Sequence, residues 1–329
     1  MRKYLFILIC LPLFAQVPDT NTFSFTDVKD EIEDNGGATT NSLVDAFTNA
    51  NASGFDPAYE GSKNSLLNFR NYTHCGVPFN QDFDTTTQTG SPTSIFINSS
   101  EDKLYLMGGS NVYYYTITTG DLSTISYQSS FNTGFQDANN RYFTFNTTAS
   151  KMYVVSINND IIFQYSVSSG TITYDSVSAS ISTQIGGNTP RDLSLSNNNR
   201  LYVLSSSEVI YQYNLSTASN LSTMSYSGLS FNTSTLGTVS NITRIFVKND
   251  GTKIYLIDST ENIYECDLGT AYNISTLTYN GINTADLGQV VADQPFGVHI
   301  NTAGDKLYLT SQPDKKIYQF DVTCPWEIH

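Results

Sequence analysis

Five short stretches of this chain repeat one pattern at nearly one interval. They are "DKLYLMG" with Lys103, "SKMYVVS" with Lys151, "NRLYVLS" with Arg200, "TKIYLID" with Lys253 and "DKLYLTS" with Lys306, spaced by 48, 49, 53 and 53 residues. Each places a basic residue, an apolar residue and a tyrosine in a row. Each is followed by a second short phrase: "VYYYTI", "IIFQYSV", "VIYQYNL", "NIYECDL" or "KIYQFDV". A period near 50 residues marks one supersecondary unit copied along the chain, and such units bury their apolar faces by stacking on one another.

Every copy has the same internal grammar. A strand that alternates faces, such as "SIFIN" (Ser94–Asn98) or "GVHIN" (Gly297–Asn301), precedes a polar turn such as "NDGT" (Asn249–Thr252). The Lys/Arg-apolar-Tyr strand follows, then the aromatic strand, then a Ser/Thr-rich strand such as "LSTMSYSGLSFNT" ending at Thr233. No copy shows the i, i+3, i+4 apolar spacing of a helix, which excludes helical solenoids. Four short antiparallel strands per unit predict an all-β, five-bladed β-propeller of four-stranded blades. The last copy, Gly304–His329, holds only the second and third strands after its first strand and then stops. Upstream, "VPFNQDFDTTTQTGSP" (Val77–Pro92) has "FDT" at Phe83, matching "FNT" at Phe131 and Phe231 and "INT" at Ile282 near the ends of fourth strands. Val77–Gly90 is therefore expected to complete the last blade, which would leave the ring without an open seam.

Three segments follow from the patterning: 1–16 a signal peptide, 17–73 a small α-helical and loop module, and 74–329 the propeller. "MRKYLFILICLPLFAQ" carries two basic residues and then an apolar run too short to span a bilayer, so it reads as an export leader. No later segment is long and apolar enough to form an integral membrane segment. In the module, Val28, Ile32, Leu43, Val44 and Phe47 have helical apolar spacing, divided by "EDNGGATT". Without the leader three cysteines remain, Cys75, Cys266 and Cys324. Cys75 precedes the closing strand and Cys324 follows the third strand it would join, so these two are the expected disulfide, provided their Cα atoms come within about 7 Å. Cys266 takes the place held by Tyr115, Tyr165, Tyr213 and Phe320 in other copies and reads as a buried free thiol.

With "GTKIYLIDSTENIYECDLGTAYNISTLTYNG" as the clearest copy, the repeats resemble the β-propeller repeats of bacterial surface and secreted proteins, and similar arrays in phage-encoded ones. The segment "FSFTDVKDEI...FDPAYEGSKNSLLNFRNY" resembles modules at the start of phage tail-associated proteins and of exported Bacteroidetes proteins. The leader ending in "AQ" is similar to leaders of that bacterial group. These resemblances imply a protein that is secreted, periplasmic or at the cell surface, or virion-associated if phage-encoded.

Chemistry is sparse along the chain. The formal charge of -14 disfavours nucleic-acid binding, which needs clustered Lys and Arg. The three histidines, His74, His299 and His329, are scattered, and no metal site or cofactor is expected. His299 sits on a first strand as a channel or core residue. Hydrolytic sites use paired carboxylates, yet Asp192 is the only acidic residue within the first-strand cores, so a glycosidase or lactonase-like activity would draw on Asp137, Asp160, Asp258 or Asp293 in loops. Of six arginines, Arg141, Arg191 and Arg244 lie at the starts of successive first strands. With Asp192 they would either ring a polar mouth that binds a carboxylate or sugar, or salt-bridge neighbouring blades. The expectation is a non-catalytic binding or adhesion protein that recognises a surface glycan or protein through its loops, with the hydrolase as the alternative.

Overall fold

The computed structural model describes residues 77–237, 239–260, 262–284 and 295–328. The expected leader, the N-terminal module, His74, Cys75 and Asp293 lie outside the described residues. The strands begin with β1 (Phe79–Asp84). Blade 1 follows as β2 (Pro92–Ile97), β3 (Lys103–Gly108), β4 (Asn111–Thr118) and β5 (Asp121–Asn132). Blade 2 is β6 (Asn140–Phe145), β7 (Lys151–Ser156), β8 (Ile161–Ser168) and β9 (Thr171–Ser180), and blade 3 is β10 (Pro190–Ser196), β11 (Arg200–Ser205), β12 (Val209–Leu215) and β13 (Met224–Asn232). Blade 4 is β14 (Ile242–Val247), β15 (Lys253–Asp258), β16 (Ile263–Leu268) and β17 (Leu277–Thr284). The fifth sheet joins β18 (Pro295–Ile300), β19 (Lys306–Ser311) and β20 (Lys316–Asp321) to β1, in the order β1-β20-β19-β18. All pairings are antiparallel, and Phe83 stands opposite Ile317 in the β1–β20 register.

Burial explains why the second strand of every copy reads as a nearly continuous apolar run. It is the second of four strands and is covered by sheets on both faces, so Leu104, Tyr105 and Leu106, like Leu201, Tyr202 and Val203, are fully buried. Outer strands instead alternate, as in β13, because one face meets solvent. The apolar residues gather into five clusters, one at each junction between neighbouring blades. The cluster that joins the last blade to the first contains Tyr308 and Ile317 from one and Leu104, Leu106 and Tyr115 from the other.

Polar bolts reinforce these junctions. In three blades the repeat tyrosine donates its hydroxyl to a carbonyl in the next blade: Tyr202 to Tyr272 O at 3.3 Å, Tyr255 to Trp326 O at 2.6 Å and Tyr308 to Gly120 O at 2.6 Å. The third strand supplies a second bolt two residues further along the same receiving loop. Gln164 Oε1 accepts from Leu221 N–H at 2.6 Å, Gln212 Oε1 from Ile274 at 3.0 Å, Gln319 Oε1 from Leu122 at 3.1 Å and Glu265 Oε2 from Ile328 at 3.3 Å. Each is a buried main-chain group that would be costly to leave unpaired.

These correspondences identify the end of the chain. Gly120, Ser219, Tyr272 and Trp326 all have positive φ, and their N–H groups reach the carbonyls of Glu101, Asn198, Gly251 and Gly304 at 2.9, 2.7, 2.9 and 2.9 Å. In three copies this loop leads on to a fourth strand. In the last copy the same loop is the tail Thr323–Ile328, and β1 takes the outer place. The "FDT" and "FNT" triplets also have one role: Thr85, Thr133 and Thr233 each donate both N–H and hydroxyl to Lys315 O, Ser110 O and Glu208 O, fastening the fourth strand to the preceding turn.

Candidate functional site

The first strands surround the axis, and the β-bulge near the start of each aligns them position by position. Ser94, Tyr142, Asp192, Arg244 and Gly297 form one layer, and Phe96, Thr144, Ser194, Phe246 and His299 form the layer two residues further on. Intervening residues such as Ile95, Phe143 and Ile245 belong to the clusters between blades. At Gly297 an added Cβ would lie 2.8 Å from Ser94 Cα, so glycine permits the close approach of the last blade to the first.

Arg244 fills the channel at the first layer. Its Nε donates to Phe296 O at 2.5 Å, and Nη1 donates to Thr243 O at 2.5 Å and to Arg191 O at 3.2 Å. Nη2 donates to the Tyr142 hydroxyl at 3.4 Å, and Cζ stands 4.4 Å from the Tyr142 ring centre and 5.3 Å from that of Phe296. One guanidinium thus ties blades 2, 3, 4 and 5 together. Arg191 Nη1 donates to Ile242 O at 2.9 Å, while Arg141 is half-buried at the start of β6 with its carbonyl accepting from the Thr93 hydroxyl. The structure thus brings Arg191, Asp192 and Arg244 together across β10 and β14. The contacts that Arg191 and Arg244 make to other blades run to main-chain carbonyls and a tyrosine.

A cavity of about 450 Å³ opens at the other end of the first strands, where the turns that follow them gather. Ser94 and Asp192 lie at its inner end, and none of the three arginines belongs to its wall. Its rim carries Lys248, Asn249, Asp250 and Trp326. Lys248 pairs with Asp250 at 2.9 Å and sits 5.0 Å from the Trp326 ring centre.

The wall has two kinds of surface. Around one arc run Phe145, Phe96, His299, Phe246 and Trp326, with successive ring centres 4.5, 5.1, 5.6 and 6.4 Å apart. The remaining sector is hydroxylic. Thr144 Oγ1 accepts from Leu195 N–H at 3.2 Å and Ser194 Oγ from Val247 N–H at 3.1 Å. Asp192 Oδ2 accepts from Ile245 N–H at 2.9 Å. Burial raises the Asp192 carboxyl to about 7, against the opposing pull of Arg244 and of the Ile245 and Leu193 N–H groups. Burial likewise pushes His299 down to about 3, so its ring is neutral near neutral pH. Ser94 Oγ is buried and has no hydrogen-bond partner among the described residues.

Of the loop acids, Asp137 accepts from Asn139, Ser156 and Asn159, and Asp258 from Thr260, Asn262 and Tyr264; both hold their own turns. Asp160 has positive φ at a hairpin tip. Cys266 is buried and free, its thiol pushed up to about 12 by burial. Cys324 is disulfide-bonded. Among the described residues no three His, Cys, Asp or Glu side chains are grouped to hold a metal, and no helix is long and apolar enough to cross a membrane.

Ser94, Phe96, Thr144, Ser194, Phe246 and Trp326 are uncharged, so the pattern of charged side chains along the chain does not point to them. A signal for most of them was available: the second layer varies among Phe, Thr, Ser, Phe and His while the neighbouring positions stay apolar in all five copies.

No protein family profile matches the chain, and no curated protein matches it. Among solved structures it is similar to a putative 6-phosphogluconolactonase from Bacteroides uniformis, at 12% identity over 66% of this chain and 62% of that one, with a TM-score of 0.42. The chain thus spans less than two thirds of that protein's length. It is also similar to Myxococcus xanthus glutaminyl cyclase, at 9% identity over 76% of this chain and 98% of that one, with a TM-score of 0.48. A second putative 6-phosphogluconolactonase, from Bacteroides fragilis, shares 13% identity over 59% of this chain and 54% of that one, with a TM-score of 0.40.

Proposed function

We propose that the protein is a non-catalytic binding module that recognises a surface glycan or a protein through the loops and channel of its propeller, outside the cytoplasm or on a phage-related particle. The observation that carries this reading is the cavity, about 450 Å³ and within the range of ligand sites. Its rim is built from turns on a rigid ring, where binding residues concentrate. The disulfide at Cys324 and the leader-like first residues favour an oxidising, exported location. The arginines, in this reading, hold blades together rather than meet the ligand.

Asp192 favours a second reading. A carboxyl that keeps its proton near neutral pH at the inner end of a cavity has the property of a general acid, which suits a glycosidase or lactonase-like hydrolase. A glycan and protein array, with each hit assayed for hydrolysis, separates the two. Saturable binding without turnover is expected; turnover abolished by Asp192→Asn establishes the hydrolase instead.

A further inference from the structure

The cavity wall constrains what fits it. At the rim Lys248 is paired with Asp250 at 2.9 Å, and at the inner end burial draws the Asp192 carboxyl toward its neutral form while Arg244 stands outside the wall, so neither end offers a free charge among the described residues. The neutral ring of His299 adds none. A carboxylate, phosphate or ammonium ligand would lose its hydration on entry and find no unpaired opposite charge to replace it.

What the wall offers is an apolar face set against a hydroxylic one. The aromatic arc from Phe96 to Trp326 presents ring surfaces, while Thr144 and Ser194 each accept one main-chain N–H and keep a hydroxyl hydrogen with no acceptor among the described residues. Ser94 is the independent indication that something polar belongs there. Ser94 is among the residues that line the cavity, it is 5% exposed, and its buried hydroxyl has no partner among the described residues, an arrangement that costs free energy unless some group satisfies it. A ligand matching all three features is compact, uncharged, flat and apolar on one side, and hydroxylated along its edge.

We infer that the cavity binds a neutral pyranose residue at the end of a glycan chain, with one sugar face on the rings of Phe96, Phe246 and Trp326 and its hydroxyls on Ser94, Thr144 and Ser194. This rests on the binding reading above and narrows it to one ligand class and one place. The chain closes behind the sugar at the Arg244 layer, so the site takes a terminal residue with the rest of the glycan leaving past Trp326.

Trp326 is the only tryptophan in the protein, so its emission reports on the rim directly. Methyl glucoside, galactoside and mannoside, with methyl glucuronide and methyl glucosaminide as charged counterparts, are titrated by calorimetry and by Trp326 fluorescence against the full chain. At least one neutral glycoside should bind saturably and shift the emission, and the charged ones at least tenfold more weakly. Ser94→Ala should weaken that binding about fivefold to tenfold while leaving thermal stability equal or higher, because the lost hydroxyl has no partner among the described residues. Phe246→Leu, which keeps apolar volume and removes the ring, should weaken it comparably. Preference for a charged sugar, or array glycans bound equally well by wild type and both variants, overturns the assignment while leaving the wider binding reading intact. Binding confined to proteins on the array overturns it as well.

Discussion

Asp192 and His299 face the same channel with opposite displacements, and the consequences for stability partly cancel. Between about pH 4 and 7 the folded protein keeps a proton on Asp192 that the unfolded chain has released, so this residue lowers stability as pH rises. Between about pH 3 and 6.5 the unfolded chain holds a proton on His299 that the folded protein lacks, so this residue raises stability over the same direction. Asp192→Asn keeps an oxygen for the Ile245 N–H and removes only the first effect. Its stability relative to wild type should therefore improve steadily from pH 4.5 to 7.5 in urea unfolding, and a difference independent of pH would refute the raised carboxyl. The sequence made Asp192 conspicuous as the only acid within the first-strand cores, but its burial and its N–H partner come from β14, 53 residues away. The repeat tyrosines show the same limit. Their apolar packing was legible from the alternation, whereas the hydroxyl partners of Tyr202 and Tyr308 lie 70 and 188 residues along the chain, which no local pattern can show.

At the level of the turn, the repeats compare themselves. Gly251 lies under the Tyr272 ring and Gly304 under the Trp326 indole, with an added Cβ meeting the rings at 2.2 and 2.4 Å. Where the loop residue is small, as at Gly120 and Ser219, the facing turn residue carries a side chain, Glu101 or Asn198, despite its positive φ. An aromatic in the loop thus excludes a side chain from the turn. Gly304→Ala should cost roughly 2–3 kcal/mol, combining about 1–2 kcal/mol for the left-handed backbone with displacement of the indole. In the Trp326→Gly background the same change should cost only the backbone part. A double-mutant cycle by chemical denaturation measures the coupling, and additivity would contradict the packing argument. This element was only half legible. "CPWEIH" looks like a chain that stops, and its kinship with "AYNIS" appears only when Trp326 and Tyr272 are seen to accept from equivalent tyrosines.

For the whole molecule, the period of 48 to 53 residues carried the architecture together with the strand-like patterning inside each copy, which excludes a helical repeat of similar length. The channel was less legible, since its character depends on which residues from five distant copies meet across the axis. The junction between the last blade and the first has an apolar cluster like the other four and, like the junctions of blades 3 with 4 and 4 with 5, both a tyrosine bolt, from Tyr308, and a third-strand bolt, from Gln319. It differs from all of them in that its two sides come from opposite ends of the propeller sequence, so its strength decides whether the ring opens. We propose Cys75 as the partner of the disulfide-bonded Cys324, 249 residues apart along the chain. In the chain-entropy view a link over such a span stabilises by up to roughly 5 kcal/mol. Because every blade is held by both neighbours, reduction should lower the midpoint of one cooperative transition rather than release a single blade. Non-reducing peptide mapping should recover the peptides of Cys75 and Cys324 joined, and calorimetry with and without reductant should show a single peak that moves to lower temperature. Cys324 linked elsewhere, or a peak that reduction leaves in place, would remove the disulfide as the lock of the ring.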